Sequence, residues 1–194
     1  MIQSPYLDAQ LKYFLATNAD LNNPANARAV AASAFGPDVI QRLRSIVLRH
    51  GRAFPVRPRA YREPAEERKC FKYAQNTAVE RGLGYVEGFA LGSLSYKGAS
   101  PGGIAFFHAW CIETDGAVYD LQWTNYGAAY FGIEFTRDYL ANRYGYFLRR
   151  YQETGQRMIP FLCADDFDES AVNWKQFNGV PLWTPPRELG CCGA

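Results

Sequence analysis

Two histidines occur in the 194 residues, and one of them, His108, stands in the aromatic run "FFHAW" at 106–110. Twelve residues on, Asp120 lies between Tyr119 and Leu121 in a second apolar stretch, "AVYDLQW". A polar ring and a carboxylate set among apolar side chains each need a partner, and these two suit one another. Paired, the imidazole can accept and return a proton while the carboxylate fixes its tautomer. The plainer alternative is a surface hairpin carrying a half-exposed histidine.

The turn between them decides whether they meet, because side chains alternate along a strand with period 2. A two-residue Asp115-Gly116 loop pairs Cys111 with Asp120 and turns the carboxylate away from the His108 face. A three-residue loop, Thr114-Asp115-Gly116, pairs Glu113 with Ala117, Trp110 with Asp120 and His108 with Gln122. Asp120 then shares the His108 face, one diagonal step away. Gly116 stands where the three-residue loop wants a left-handed residue, but Asp-Gly is equally a two-residue turn. Both geometries stay open at this level.

A base held by an acid needs a nucleophile, and Cys70 is the candidate. It lies in "AEERKCFKYAQNTAVERG", whose spacing predicts a helix with Cys70, Tyr73, Ala74 and Thr77 on one face, ended by Gly82. An onset near Arg68 or Lys69 puts Cys70 at the positive end of the helix dipole, where a thiolate is favoured; an onset at Pro64 leaves it in the second turn. Lys69 and Lys72 act in the same direction. Cys70 would attack an acyl carbon, His108 would take its proton and later protonate the leaving group, and Asp120 would orient the ring. The Cys70 backbone N–H would serve an oxyanion hole, with Tyr61 and Gln75 as candidate second donors. The competing account of Cys70 is a small buried member of a helix stripe.

The elements that must position these groups fall into two blocks. "SPYLDAQLKYFLATN", "PANARAVAASAF" and "PDVIQRLRSIVLRHG" predict helices, the last with Val39, Leu43, Ile46 and Val47 on one stripe and a start at proline and a stop at glycine. "RAFPVRPRAYREP", with prolines at 55, 58 and 64, predicts an extended connection and a boundary. After the Cys70 helix the period becomes 2. "YVEGFALG", "GIAFFHAWCIE", "AVYDLQW" and "YFGIEF" predict an antiparallel sheet of at least four strands. A helix over "TRDYLANRYGYFLRRYQETG", capped by Thr136, precedes an irregular end. Helices followed by a sheet imply an α+β fold. The expected division is a helical region at 1–60, a core at 61–160 and an irregular tail at 161–194.

Composition bounds the partners. At 48% hydrophobic and 15% aromatic residues the chain can build a sizeable core, and no stretch is long and apolar enough for a membrane span. No secretory signal is read at the start, so the five irregularly spaced cysteines are expected as reduced thiols in a cytoplasm. Residues 42–72 hold ten Lys/Arg against three Asp/Glu, a balance of +7, while the other residues carry −5. That segment is either a solvated helix face with an Arg-rich connection or an attraction for an acidic or phosphorylated partner. It matches no nucleic-acid module. His50 is read as favouring a helix C-terminus, and Cys191-Cys192 as part of a flexible tail. No metal site, phosphate loop or cofactor motif is expected.

The segments "KCFKYAQNTA", "FFHAWCIETDG" and "VYDLQW" together resemble the transglutaminase-like branch of the papain-like cysteine enzymes, over about residues 64–135. The resemblance implies a papain-like core in which a Cys-bearing helix packs on an antiparallel sheet. It also implies amide hydrolysis, deamidation or transfer to an amine by a thiol protease or transglutaminase-like enzyme. Position by position it makes Cys70 the nucleophile, His108 the base and Asp120 the orienting acid. The family often carries "DPT" at the acid where this chain has "DLQW". The expected partner is a protein or peptide substrate; neither nucleic acid nor membrane is expected. The alternative function is a non-catalytic binding or inhibitor protein on the same scaffold, using the basic 42–72 surface.

Overall fold

The computed structural model describes residues 36–56, 69–92, 104–122, 129–154, 160–163, 167 and 169–173. The helices expected before residue 36, Tyr61, and Cys191-Cys192 lie outside the described residues. Helix α1 (Pro37–His50) starts on a proline whose fixed φ suits the first turn, with Asp38 there and Arg49 and His50 at the far end, matching the helix dipole. Its buried stripe is Ile40, Leu43, Arg44 and Val47, while Val39 is 40% exposed. The expected stripe is therefore turned by one position at its start. Val39 and Ile40 both stand at helical spacing from Leu43, and the bulkier isoleucine takes the core.

The extended connection begins as a strand. Strand β1 (Arg52–Phe54) is three residues long, too short for alternation to show in sequence, and Pro55 ends it at a sheet edge. Helix α2 (Cys70–Arg81) begins at Cys70 itself and ends at Gly82, whose φ of +64° is the left-handed cap. Strands β2 (Gly84–Gly92), β3 (Ile104–Ile112), β4 (Val118–Tyr119) and β5 (Ala129–Phe135) complete one antiparallel sheet in the order β1-β5-β2-β3-β4. Helix α3 (Arg137–Thr154) follows, with the Tyr139 N–H donating to Thr136 Oγ1 at 3.3 Å, the capping bond expected there. The fold is α+β. Among the described residues no helix is long and apolar enough to cross a membrane.

The sheet curls until its edges meet, for the Val118 N–H donates to the Pro55 carbonyl at 2.9 Å. The inner face gathers Phe54, Val86, Ala90, Trp110, Ile112, Val118 and Tyr130. Curling this tight needs room: a Cβ at Gly88 would lie 2.3 Å from the Gly132 backbone, and one at Gly132 would lie 2.7 Å from the Trp110 indole. Burying Trp110 completely is worth roughly 3 kcal/mol. The outer face, with Tyr85, Phe89, Ala109, Cys111, Phe131 and Ile133, is covered by α1 and α2 and by Phe161 and Leu162. Among the described cations at 42–72, Arg44 and Arg52 are drawn into this scaffold. Arg44 is 5% exposed, and Arg52 pairs with Glu134 while stacking on Phe54.

Residues 161–173 contain two 3-10 turns, Phe161–Cys163 and Glu169–Ala171. The first is locked to the sheet by Glu87, a fully buried carboxylate on β2. Glu87 Oε1 accepts from the Phe161 N–H at 2.6 Å and from the Tyr85 hydroxyl at 2.6 Å, and Oε2 accepts from the Leu162 N–H at 2.9 Å. Burial raises Glu87 to about 7 despite these three donors, because no cation joins them. A carboxyl raised on folding stabilises the fold below its unfolded value of 4.5, and that contribution is lost as pH rises through about 7. The stability advantage of the parent over Glu87→Gln, read from urea midpoints, should shrink by roughly 3 kcal/mol between pH 4.5 and pH 8. Parallel curves for the two proteins would show that Glu87 does not titrate there.

Candidate active site

The turn between β3 and β4 has three residues. The Glu113 N–H donates to the Ala117 carbonyl at 2.9 Å and the Gly116 N–H to the Glu113 carbonyl at 2.8 Å, with Gly116 at φ +80°. Asp115 Oδ1 accepts the Ala117 N–H at 3.0 Å and stiffens the turn. The register pairs Cys111 with Tyr119 and Ile112 with Val118. One step further along the hairpin stands Trp110 opposite Asp120, which gives Asp120 the His108 face.

The two groups meet there. His108 Nε2 donates to Asp120 Oδ2 at 2.8 Å, and the residues are 3% and 2% exposed, too buried for water to satisfy either. Tyr130, on β5, donates its hydroxyl to the same carboxylate oxygen at 2.7 Å. The Gln122 N–H donates to Oδ1 at 2.8 Å. Tyr130 reaches Asp120 across the inner face because the sheet curls. With Nε2 held by Asp120, Nδ1 is the nitrogen that can exchange a proton with a thiol.

Cys70 is the candidate thiol. It is the first residue of α2, with Lys69 as N-cap, which selects the later helix onset. The Tyr73 N–H closes the first turn onto the Lys69 carbonyl at 3.0 Å. No carboxylate lies in this turn, so the positive helix end is left to the sulfur. Three contacts lay the helix along the hairpin. The Lys69 N–H donates to Gln122 Oε1 at 3.3 Å, the Cys111 thiol to the Ala74 carbonyl at 3.2 Å, and Arg81 to the Tyr119 hydroxyl at 3.0 Å. β4 pairs with β3 only at Cys111 and Ile112, and Cys70 reaches His108 beyond the end of that ladder, within hydrogen-bonding contact.

The charges reinforce one another. Burial opposes a positive imidazole, but the Asp120 charge, the Cys70 sulfur and hydrogen bonds to both outweigh it and hold His108 far above its ordinary value. Burial likewise opposes a negative Asp120, and the His108 charge with the bonds from His108, Tyr130 and Gln122 holds it below the usual carboxylate range. Both directions favour an imidazolium–carboxylate pair. Burial pushes the Cys111 thiol up strongly and the Cys163 thiol up to about 12, so both stay protonated.

All three residues picked out in the sequence, Cys70, His108 and Asp120, are thus brought together. Gln75, considered as an oxyanion donor, is instead fully buried and donates to the Tyr85 hydroxyl at 3.1 Å. On α2 the buried stripe is Ala74, Gln75 and Ala78, with Thr77 half-buried. His50 packs edge-on against Phe167. Sequence reasoning missed Tyr130 and Gln122. A tyrosine inside an apolar strand carries a hydroxyl that needs a partner, the same signal that picked out Asp120. Among the described residues no group of three His, Cys, Asp or Glu side chains could hold a metal ion.

Comparison with protein-family models, with curated proteins and with solved structures finds no match to this chain.

Because its hydroxyl helps keep Asp120 ionised, Tyr130→Phe should cost about 1 kcal/mol at neutral pH. A carboxyl lowered on folding stabilises above its unfolded value and loses that contribution as pH falls through the folded one. Raising Asp120 should therefore move the acid limb of urea stability to higher pH. An unmoved acid limb would mean that the Tyr130 bond does not act on the carboxylate.

Proposed function

We propose that the protein is a thiol-dependent acyl-transfer enzyme with a papain-like core of the transglutaminase-like type. The observation that carries this reading is a buried His108–Asp120 pair whose imidazole contacts Cys70 at the first position of a helix. The Cys70 sulfur attacks an acyl carbon and the carbonyl electron pair moves to oxygen, stabilised by the Cys70 backbone N–H. Collapse of this intermediate breaks the carbon–leaving-group bond, and His108 delivers its proton to the departing amine. Water or a second amine then attacks the thioester, giving its proton to His108 and releasing Cys70. Asp120 holds the ring and its charge throughout.

The substrate of this chemistry is a protein or peptide amide, and the basic 42–72 segment favours an acidic one. A nucleophilic thiol suits a reducing cytoplasm. A binding protein using the basic surface is the second reading. The exposed Arg42 and Arg49 favour it; Arg44 and Arg52, committed within the fold, do not.

Reaction with p-nitrophenyl acetate should release one equivalent of p-nitrophenol per chain in a burst, and Cys70→Ala should abolish it. Iodoacetamide should label Cys70 readily at pH 6, and His108→Ala should slow that labelling about tenfold while labelling at pH 9.5 changes little. Labelling that ignores His108 at both pH values would favour the binding protein.

A further inference from the structure

Helix α2 cannot cap its own start. Its N-cap is Lys69, which makes no side-chain capping bond, and the third helical residue is Lys72, whose ammonium accepts nothing. In a capping box, a Glu or Gln at that third position would accept the N–H of the N-cap residue. Here the acceptor arrives from 53 residues away: Gln122 Oε1 takes the Lys69 N–H at 3.3 Å. The same residue donates its own N–H to Asp120 Oδ1 at 2.8 Å.

We infer that Gln122 is a positioning residue, a strap that fixes the Cys70 end of the helix against the acid of the site. The inference rests on the thiol-enzyme reading. Gln122 acts through Lys69 on one side and Asp120 on the other. A carboxylate in the first turn would cap the helix more strongly, but it would set a negative charge beside the sulfur. A neutral amide from another element supplies the acceptor without that charge.

Three full-length variants test this. Gln122→Met keeps the side-chain length and removes the acceptor; Gln122→Glu keeps an acceptor and adds charge; His108→Ala removes the base. The readouts are Cys70 labelling by iodoacetamide at pH 6, amide exchange at Lys69 and the thermal midpoint. Gln122→Met should slow labelling about fivefold and speed Lys69 exchange, with little change in the midpoint. Added to His108→Ala, it should slow labelling no further, because alignment no longer matters once the base is gone. Gln122→Glu should restore Lys69 protection and shift the pH profile of labelling upward, a charge effect that a purely structural role would not produce.

If His108→Ala slows labelling and Gln122→Met does not, the strap is overturned and the enzyme reading stands. Additive effects of the two substitutions also overturn it. If His108→Ala itself leaves labelling unchanged, the enzyme reading falls and the role of Gln122 with it.

Discussion

A carboxylate that is 2% exposed must collect hydrogen-bond donors, and Asp120 gathers them from three parts of the chain. His108 comes from β3, Tyr130 from β5, and the Gln122 N–H from the bend after β4. Each donor fixes something else. His108 must turn Nε2 toward Asp120, which leaves Nδ1 on the other side of the ring. Tyr130 must cross the inner face, which requires the curl that Gly88 and Gly132 permit. Gln122 must bend the chain back, and its side chain then meets the start of α2. Losing one partner of such a buried pair leaves the other charge uncompensated. The site and the sheet curvature therefore stand or fall together.

Glu87 shows what separates a site from a brace. It is as buried as Asp120 and also accepts three hydrogen bonds, yet it moves upward while Asp120 moves downward. The difference is charge, because Asp120 has a cation as its neighbour and Glu87 has two backbone amides and a phenol. An acid that changes protonation near neutral pH would be a poor permanent counter-charge for an imidazolium. An acid kept ionised by that imidazolium is a good one. The inner face of the sheet is thus given to an ion pair, and the outer face to a hydrogen-bonded clamp for the 3-10 turn at Phe161–Cys163.

Local patterning made the α+β order, the four strands after the Cys70 helix and the helix boundaries at Gly51 and Gly82 legible, because each rests on periodicity or turn residues within a few positions. The parity of the hairpin was not legible. Asp115-Gly116 suits both loop lengths, and only the Cys111–Tyr119 register decides between them. β1 was hidden by its length of three residues and by the proline after it. The Tyr130 hydroxyl signalled a need for a partner, but only the curl of the sheet names Asp120, and the Gln122 bond to Lys69, 53 residues away, comes from helix docking that no window of sequence contains. Glu87 was within reach. A lone carboxylate inside "YVEGFALG" carries the same signal that marked Asp120, and the residues that answer it lie 74 and 75 positions away.

The described cysteines occupy different places in the fold. Burial raises the Cys111 thiol despite Arg81 nearby, and burial with the Glu87 charge raises the Cys163 thiol despite Arg42. Cys70 stands at a seam, half-buried, where a helix begins beside the strand that β4 leaves uncovered. Ending β4 after two residues costs a few ladder hydrogen bonds, and it admits the helix start to the edge of β3. Because β4 ends at Tyr119, the chain bends at once and Gln122 meets the start of the helix.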